Sequence, residues 1–214
     1  MQINKVLKDY TLAILIAISV ALLIRSFIFE SFKIPTQIMS PTLLPGDILF
    51  AEKLSYLFKD PNYGDIVVFE IDEETGLQSI RRIVAKSGDT VQVKNGELMI
   101  NATELKKLDT RCYLEKHPKT ATPYTVCLEE PFLADFPETK IPPGYFFLLG
   151  DFRGSAVSST PLKSVQKNAN LVPLHAIKAR AFLIWLSLVP QTHSAGMQGF
   201  FPEIRSERLF KKIH

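Results

Sequence analysis

Cysteine, histidine and excess charge are all scarce in this sequence, and each scarcity removes a kind of chemistry. Only two of the 214 residues are cysteine and four are histidine. His117, His175, His193 and His214 are scattered without ligand spacing, and Cys112 and Cys127 form no CxxC pair. Zinc and thioredoxin chemistry therefore have no support, and no metal or other cofactor is implied. The formal charge is +3, from 25 basic and 22 acidic residues. That excess is too small for a nucleic-acid surface, and no long basic run or interleaved aromatic motif supplies one. The slightly basic stretch from Arg205 to His214 reads as a solvated or membrane-proximal tail. Repeats and low-complexity segments are absent.

What is present begins with a hydrophobic N-terminus. Tyr10 to Ile24 is uncharged and mostly Leu, Ile, Ala and Val, and continuing through Phe29 gives 20 residues with Arg25 as the only charge. A helix of that length rises roughly 30 Å, about the thickness of a bilayer core. Arg25 falls near one end, where its stem reaches the interface. A buried core helix would show a polar face, and a cleaved signal peptide would be followed by a small-x-small site; neither is seen. The expectation is a single transmembrane signal anchor over 10–29, with the lipid bilayer as its partner. Lys5 and Lys8 precede it, so residues 1–9 are expected as a cytoplasmic tail and 30–214 as an extracytoplasmic domain. An outside location would let Cys112 and Cys127 pair, contributing about 3 kcal/mol in the chain-entropy model; two separate thiols are the alternative.

Beyond the anchor the pattern is mainly β. Asp65 to Phe69, Ile80 to Val84, Phe146 to Leu149 and Ala181 to Trp185 are β-branched and aromatic runs. Thr90 to Val93 and Leu98 to Ile100 flank Asn95-Gly96, a type I′ hairpin signal. The stretch 101–141 holds both cysteines, several charges and four prolines before the Pro142-Pro143-Gly144 turn. It reads as a variable loop or β insertion between core strands.

Five ordered motifs carry a resemblance. The hydrophobic segment runs into Ile24-Arg25-Ser26-Phe27-Ile28-Phe29-Glu30; then come Pro35 to Asp47, containing Met39-Ser40-Pro41-Thr42-Leu43, and Gly64-Asp65-Ile66-Val67-Val68-Phe69. Ile80-Arg81-Arg82-Ile83-Val84 with Gly88-Asp89 follows, and Pro142-Pro143-Gly144 with Gly150-Asp151-x-Arg153 closes the series. Together they resemble the type I signal peptidases over nearly the whole chain. The resemblance implies an antiparallel β-fold after a membrane anchor in the bacterial cytoplasmic membrane. It also implies cleavage of signal peptides from exported preproteins by a Ser–Lys dyad, with substrate paired as an added strand.

Set in register with that family, the chemistry is altered while the scaffold is kept. The family nucleophile directly precedes the methionine, and here that residue is Ile38, which has no hydroxyl. The family lysine falls on Arg81, and an arginine holds its proton. The base-supporting serine falls on Ala156 and an acidic position on Ser158. Thr36 matches the oxyanion hydroxyl position. Pro35, Pro41, Thr42, Gly46, Asp47, Gly64, Asp65, Gly88, Asp89, Gly150 and Asp151 fit the pattern as turn and capping types. The expected reading is a signal-peptidase homologue without catalysis, binding signal peptides, preproteins or an active signal peptidase. The alternative is an active protease using Ser40, with Lys86, Lys33 or a histidine as base; strand alternation puts Lys86 on the Arg82 face, so it would need a bulge to reach the site.

Overall fold

Three Gly-Asp pairs make the same turn, and each launches a strand. The computed structural model describes residues 8, 10–20, 28–72, 74–94, 97–105, 111–117, 119–120, 122–129, 135–154, 170–190 and 203–213. Gly46, Gly64 and Gly88 have φ of +89°, +83° and +89°, which an L side chain rarely adopts. The amides of Asp47, Asp65 and Asp89 donate to the carbonyls of Leu44, Asn62 and Lys86, three residues earlier, at 3.0, 3.1 and 3.0 Å. Each carboxylate then accepts the amide of that same residue, at 2.8, 2.9 and 3.0 Å. A positive-φ glycine at the third position is the type II requirement, and the aspartate ties the turn shut. Gly46 has a further constraint, because a Cβ there would lie within 1.9 Å of the Leu188 carbonyl oxygen.

Fifteen strands are seen among the described residues. In chain order they are β1 (Phe29–Lys33), β2 (Asp47–Glu52), β3 (Ile66–Asp72), β4 (Leu77–Lys86), β5 (Thr90–Lys94), β6 (Glu97–Ile100), β7 (Thr103–Glu104) and β8 (Cys112–Glu115). Then come β9 (Tyr124–Leu128), β10 (Phe136–Lys140), β11 (Tyr145–Leu149), β12 (Phe152–Arg153), β13 (Leu171–Pro173), β14 (Ile177–Ser187) and β15 (Lys211–Lys212). The main sheet runs β1-β2-β14-β3-β4-β11-β13 with β15 on β14; a second runs β10-β5-β6-β7 and a third β12-β9-β8. Every pairing between these strands is antiparallel except β12 with β9. The mainly antiparallel β expectation therefore holds. Asn95-Gly96 lies outside the described residues, but β5 and β6 pair up to Lys94 opposite Glu97.

Alternation builds the cores. Along β2, Asp47, Leu49 and Ala51 are buried while Ile48, Phe50 and Glu52 are half-exposed. Leu49 joins Ile34, Met39, Leu43, Ile66, Val68 and Ile184 in one cluster. A second cluster lies where Val84, Phe147 and Leu149 meet Val91, Leu98 and Ile100 of the second sheet. Each such side chain contributes about 1.5–3 kcal/mol by leaving water.

The expected membrane-spanning helix over 10–29 is overturned. The helix is described over 10–20, about 16 Å of rise, and among the described residues no helix is long and apolar enough to cross a membrane. At the expected C-terminal end, Ile28 lies in a turn and Phe29 opens β1. The reason is a change of period that the run of apolar letters concealed. Phe29, Ser31 and Lys33 are exposed while Glu30 and Phe32 are half-buried, and all five pair with β2, from Phe29 opposite Glu52 to Lys33 opposite Ile48.

The stretch 101–141 is woven into two sheets. β7 extends the second sheet from β6, β10 pairs with β5, and β8 and β9 form their own hairpin. Cys112 stands opposite Cys127 on that hairpin, and the two are joined by a disulfide. Replacing both by serine should lower unfolding free energy by about 3 kcal/mol, read as an earlier denaturant midpoint.

Candidate active-site region

The box around Ile38 is held by its own backbone. Ile34 N–H donates to Asp47 O at 2.8 Å, Gly46 N–H to Ile34 O at 2.9 Å, and Leu43 N–H to Met39 O at 2.8 Å. Met39 and Leu43 are fully buried, which fixes Ile38 and Ser40 at half-buried positions beside them. Beneath the turn lies Asp47, itself fully buried; Arg208 Nε and Ser187 Oγ donate to it. Ile38 meets the turn from β11 into β12: its carbonyl accepts the Phe152 amide at 3.0 Å. A Cβ on Gly150 would come within 2.4 Å of that carbonyl oxygen and 3.0 Å of the Ile38 side chain, so only glycine permits the approach.

Two buried ion pairs flank this contact. Arg82, on β4, donates through Nε and Nη2 to both oxygens of Asp151 at 2.8 and 2.7 Å, and through Nη1 to Gly64 O at 2.7 Å. Thr42 Oγ1 donates to the same carboxylate. The guanidinium stacks on Tyr124, 4.1 Å from the ring centre. Two residues on, Arg153 points its fork at Glu115, with Nη2 to Oε1 at 2.7 Å; Tyr124 OH donates to Glu115 at 2.6 Å. Both ion pairs are almost wholly removed from water, with side chains 1–2% exposed. Burial works against the Glu115 charge, but Arg153 overcomes it and holds the carboxyl below its ordinary range.

Sequence reasoning placed Thr42 and Asp151 as backbone-shaping types; the geometry adds a side-chain network through Arg82. The quoted Arg81-Arg82 and Asp151-x-Arg153 motifs contained most of that signal. Glu115 gave none, because it lies in the stretch read as insertion. Its hairpin is locked to the region by backbone as well, with Cys127 N–H donating to Asp151 O at 2.8 Å.

The remaining expected residues are dispersed. Arg81 is 6% exposed; its Nη1 donates to Ser79 Oγ at 2.8 Å and Ile80 O at 3.0 Å. Burial pulls its pKa down to about 10. Ser40 Oγ reaches Leu43 O at 3.5 Å, and among the described residues no lysine or histidine nitrogen bonds it. Thr36 and Lys33 are exposed. The bulge that Lys86 would need does exist: Phe147 pairs with Ala85 but Leu148 with Ile83. It leads elsewhere, for Lys86 Nζ donates to Pro61 O at 3.1 Å and lies over the Tyr63 ring. His117 is buried against Tyr63 and accepts the Lys119 amide, and His175 is exposed on a 3₁₀ turn. His193, His214, Ala156 and Ser158 lie outside the described residues.

Beside Arg82 opens a cavity of about 330 Å³, lined by Tyr63, Asp65, Lys119, Tyr124 and Arg180 among others. Its cations are answered locally: Arg180 pairs with Asp65 at 3.1 Å and Lys119 with Asp89 at 2.8 Å. Against the effect of burial, hydrogen bonds from Lys119, Asn101, the Lys86 amide and Tyr63 hold Asp89 down to about 2. Among the described residues no group of three His, Cys, Asp or Glu side chains is placed to hold a metal ion.

Comparison with known proteins gives a consistent answer. Residues 7–186 match the model of the family described as signal peptidase, peptidase S26. A signal peptidase I of Bacillus licheniformis is 35% identical over 151 residues, covering 71% of this chain and 76% of the relative. Signal peptidase I T of Bacillus subtilis (strain 168) is 35% identical over 147 residues, 69% of this chain and 72% of the relative. Thylakoidal processing peptidase 1 of Arabidopsis thaliana is 34% identical over 153 residues, which is 67% of this chain and 40% of that protein.

Proposed function

We infer the role of this chain from its family: it belongs to the type I signal peptidases, peptidase family S26. Membership makes preproteins carrying signal peptides the substrate class. Within the family we read this chain as a member without Ser–Lys chemistry. It holds an extended peptide, or an active peptidase partner, on a scaffold whose dyad positions no longer react.

The observation that carries this reading is the pair Ile38 and Arg81. A hydrocarbon side chain cannot attack a carbonyl. A guanidinium with a pKa of about 10 keeps its proton at neutral pH in all but about one molecule in a thousand, so it accepts none. The Arg82–Asp151–Thr42 network and the Gly150–Ile38 approach support a backbone still shaped to receive an extended chain. Among the described residues the alternative nucleophile Ser40 has no paired base of the kind such a role needs. A disulfide at Cys112–Cys127 favours an oxidising compartment outside the cytoplasm.

The test is a titration of the purified full chain with a fluorescent peptide of signal-peptide length, recovered afterwards by mass spectrometry. Saturable binding with the peptide intact is the expected result. Time-dependent shortening of the peptide contradicts the reading.

A further inference from the structure

Among the described residues, His117 is the buried side chain that leaves a polar atom without a hydrogen bond. It is 1% exposed, and its Nε2 has no partner. Its Nδ1 accepts the Lys119 amide at 3.1 Å, so the ring is neutral and its single N–H sits on the orphaned Nε2. The ring stacks on Tyr63, with 4.7 Å between centres. Thr120 closes the same turn, its amide and Oγ1 donating to the His117 carbonyl at 3.1 and 3.2 Å. Between them, Lys119 Nζ donates to Asp89 Oδ1 at 2.8 Å and to Tyr63 OH at 3.0 Å. Tyr63 OH in turn donates to Asp89 Oδ2 at 2.7 Å. Tyr63, Lys119 and Thr120 all line the cavity beside Arg82.

This site is built against a second proton on the ring. Such a proton would turn Nδ1 into a donor facing the Lys119 N–H, and it would bury a cation whose two N–H groups lack acceptors. The charges that reach the ring are Asp89, Glu115 and Lys119. Both carboxylates are already engaged: Asp89 by Lys119, Asn101, Tyr63 and the Lys86 amide, Glu115 by Arg153 and Tyr124. Lys86 Nζ, over the Tyr63 ring, adds another positive charge, and the Tyr63 phenol is pushed up by burial and stays neutral. Burial therefore holds the imidazole below its ordinary pKa, and Lys119 adds to the fall. We propose that His117 is an acid-operated latch: when it gains a proton the 117–120 turn opens, Lys119 leaves Asp89 and Tyr63, and the cavity wall parts while the sheets stay folded. Because the shift is downward, the closed turn is fully held above the open-state value of about 6.5. It weakens as pH falls from there through the lower closed-state value. The latch does not depend on the peptide-holding reading above.

Amide hydrogen exchange by NMR on the full chain, from about pH 8 to about pH 5, tests it, each rate being divided by the intrinsic rate at that pH. Below about pH 6.5 the protection of the Lys119 and Thr120 amides should fall by up to about tenfold per pH unit, the slope of one linked proton. The Ile83 and Leu148 amides, bonded within the main sheet region to Asp65 O and Asn170 O, should keep theirs. Asp89, held at about 2, and Glu115, held below the ordinary carboxyl range, do not titrate in this window. His117→Asn keeps an acceptor near the Nδ1 position and removes the titration, so protection at Lys119 and Thr120 should become independent of pH. Protection in the unaltered chain that does not change with pH overturns the latch, whether or not the variant folds. So does a fall that survives in His117→Asn, or one shared by Ile83 and Leu148.

Discussion

Replacing Glu115 by alanine should lower the unfolding free energy by about 3–5 kcal/mol, the largest loss expected from a single side chain here. Arg153 is 2% exposed and has no second carboxylate within the contacts described. Removing Glu115 strands a guanidinium in a medium where its hydration is gone, and it leaves Tyr124 OH without its acceptor. The loss falls on the link between the β8–β9 hairpin and the Asp151 turn, so it should also loosen the Arg82 network. Denaturant unfolding at neutral pH measures it. The pH dependence follows from the sign of the shift. Glu115 is held below its ordinary pKa, so its contribution is fully present above the unfolded carboxyl value of about 4.3 and fades as pH falls through the lower folded value. Glu115→Gln should therefore be destabilised at pH 7 and show a smaller further loss on acidification than the parent. An unchanged midpoint for both variants contradicts this assignment.

Changing Ile38 to Ser together with Arg81 to Lys should create signal-peptide cleavage where neither single change does. The nucleophile and its base act as a unit, so the effects are far from additive. A serine alone keeps its proton beside an arginine, and a lysine alone has nothing to activate. The surroundings of residue 81 desolvate its cation and, among the described residues, supply no carboxylate, which is why Arg81 is pulled down to about 10. The same environment lowers a lysine towards the neutral amine that general-base catalysis requires. The double variant should exceed either single one by roughly 10²-fold or more in the rate of mature-product formation, the scale of a positioned general base. Equal rates for the double and single variants would sink the register that puts Ile38 and Arg81 at the dyad positions.

Much of the scaffold was legible because glycine and aspartate leave local signatures. Gly46-Asp47, Gly64-Asp65 and Gly88-Asp89 are recognisable as turns from composition alone, and the three prove to be the same turn. The runs from Asp65, Ile80, Phe146 and Ala181 overlap β3, β4, β11 and β14 for the same local reason, since β-branched and aromatic residues suit a pleated surface. β1 was not legible: Phe29 read as the end of the apolar run, and the alternation from Phe29 to Lys33 matters only once β2 lies beside it. Nor was Glu115, whose partner is 38 residues away, two strands across the same sheet. The strand rule for Lys86 also fell short, because the bulge at Val84 redirects it and a single strand's period does not reveal a bulge. Local conformation is written in neighbouring residues; long-range ion pairs are written only in the fold.

The central claim is that this chain retains a signal-peptidase scaffold without a working nucleophile and base. Mass spectrometry of a full preprotein incubated with the purified chain in detergent, alongside Ser40→Ala, tests it most directly. The account predicts no mature product from either protein. Mature product formed by the unaltered chain and lost in Ser40→Ala would contradict it.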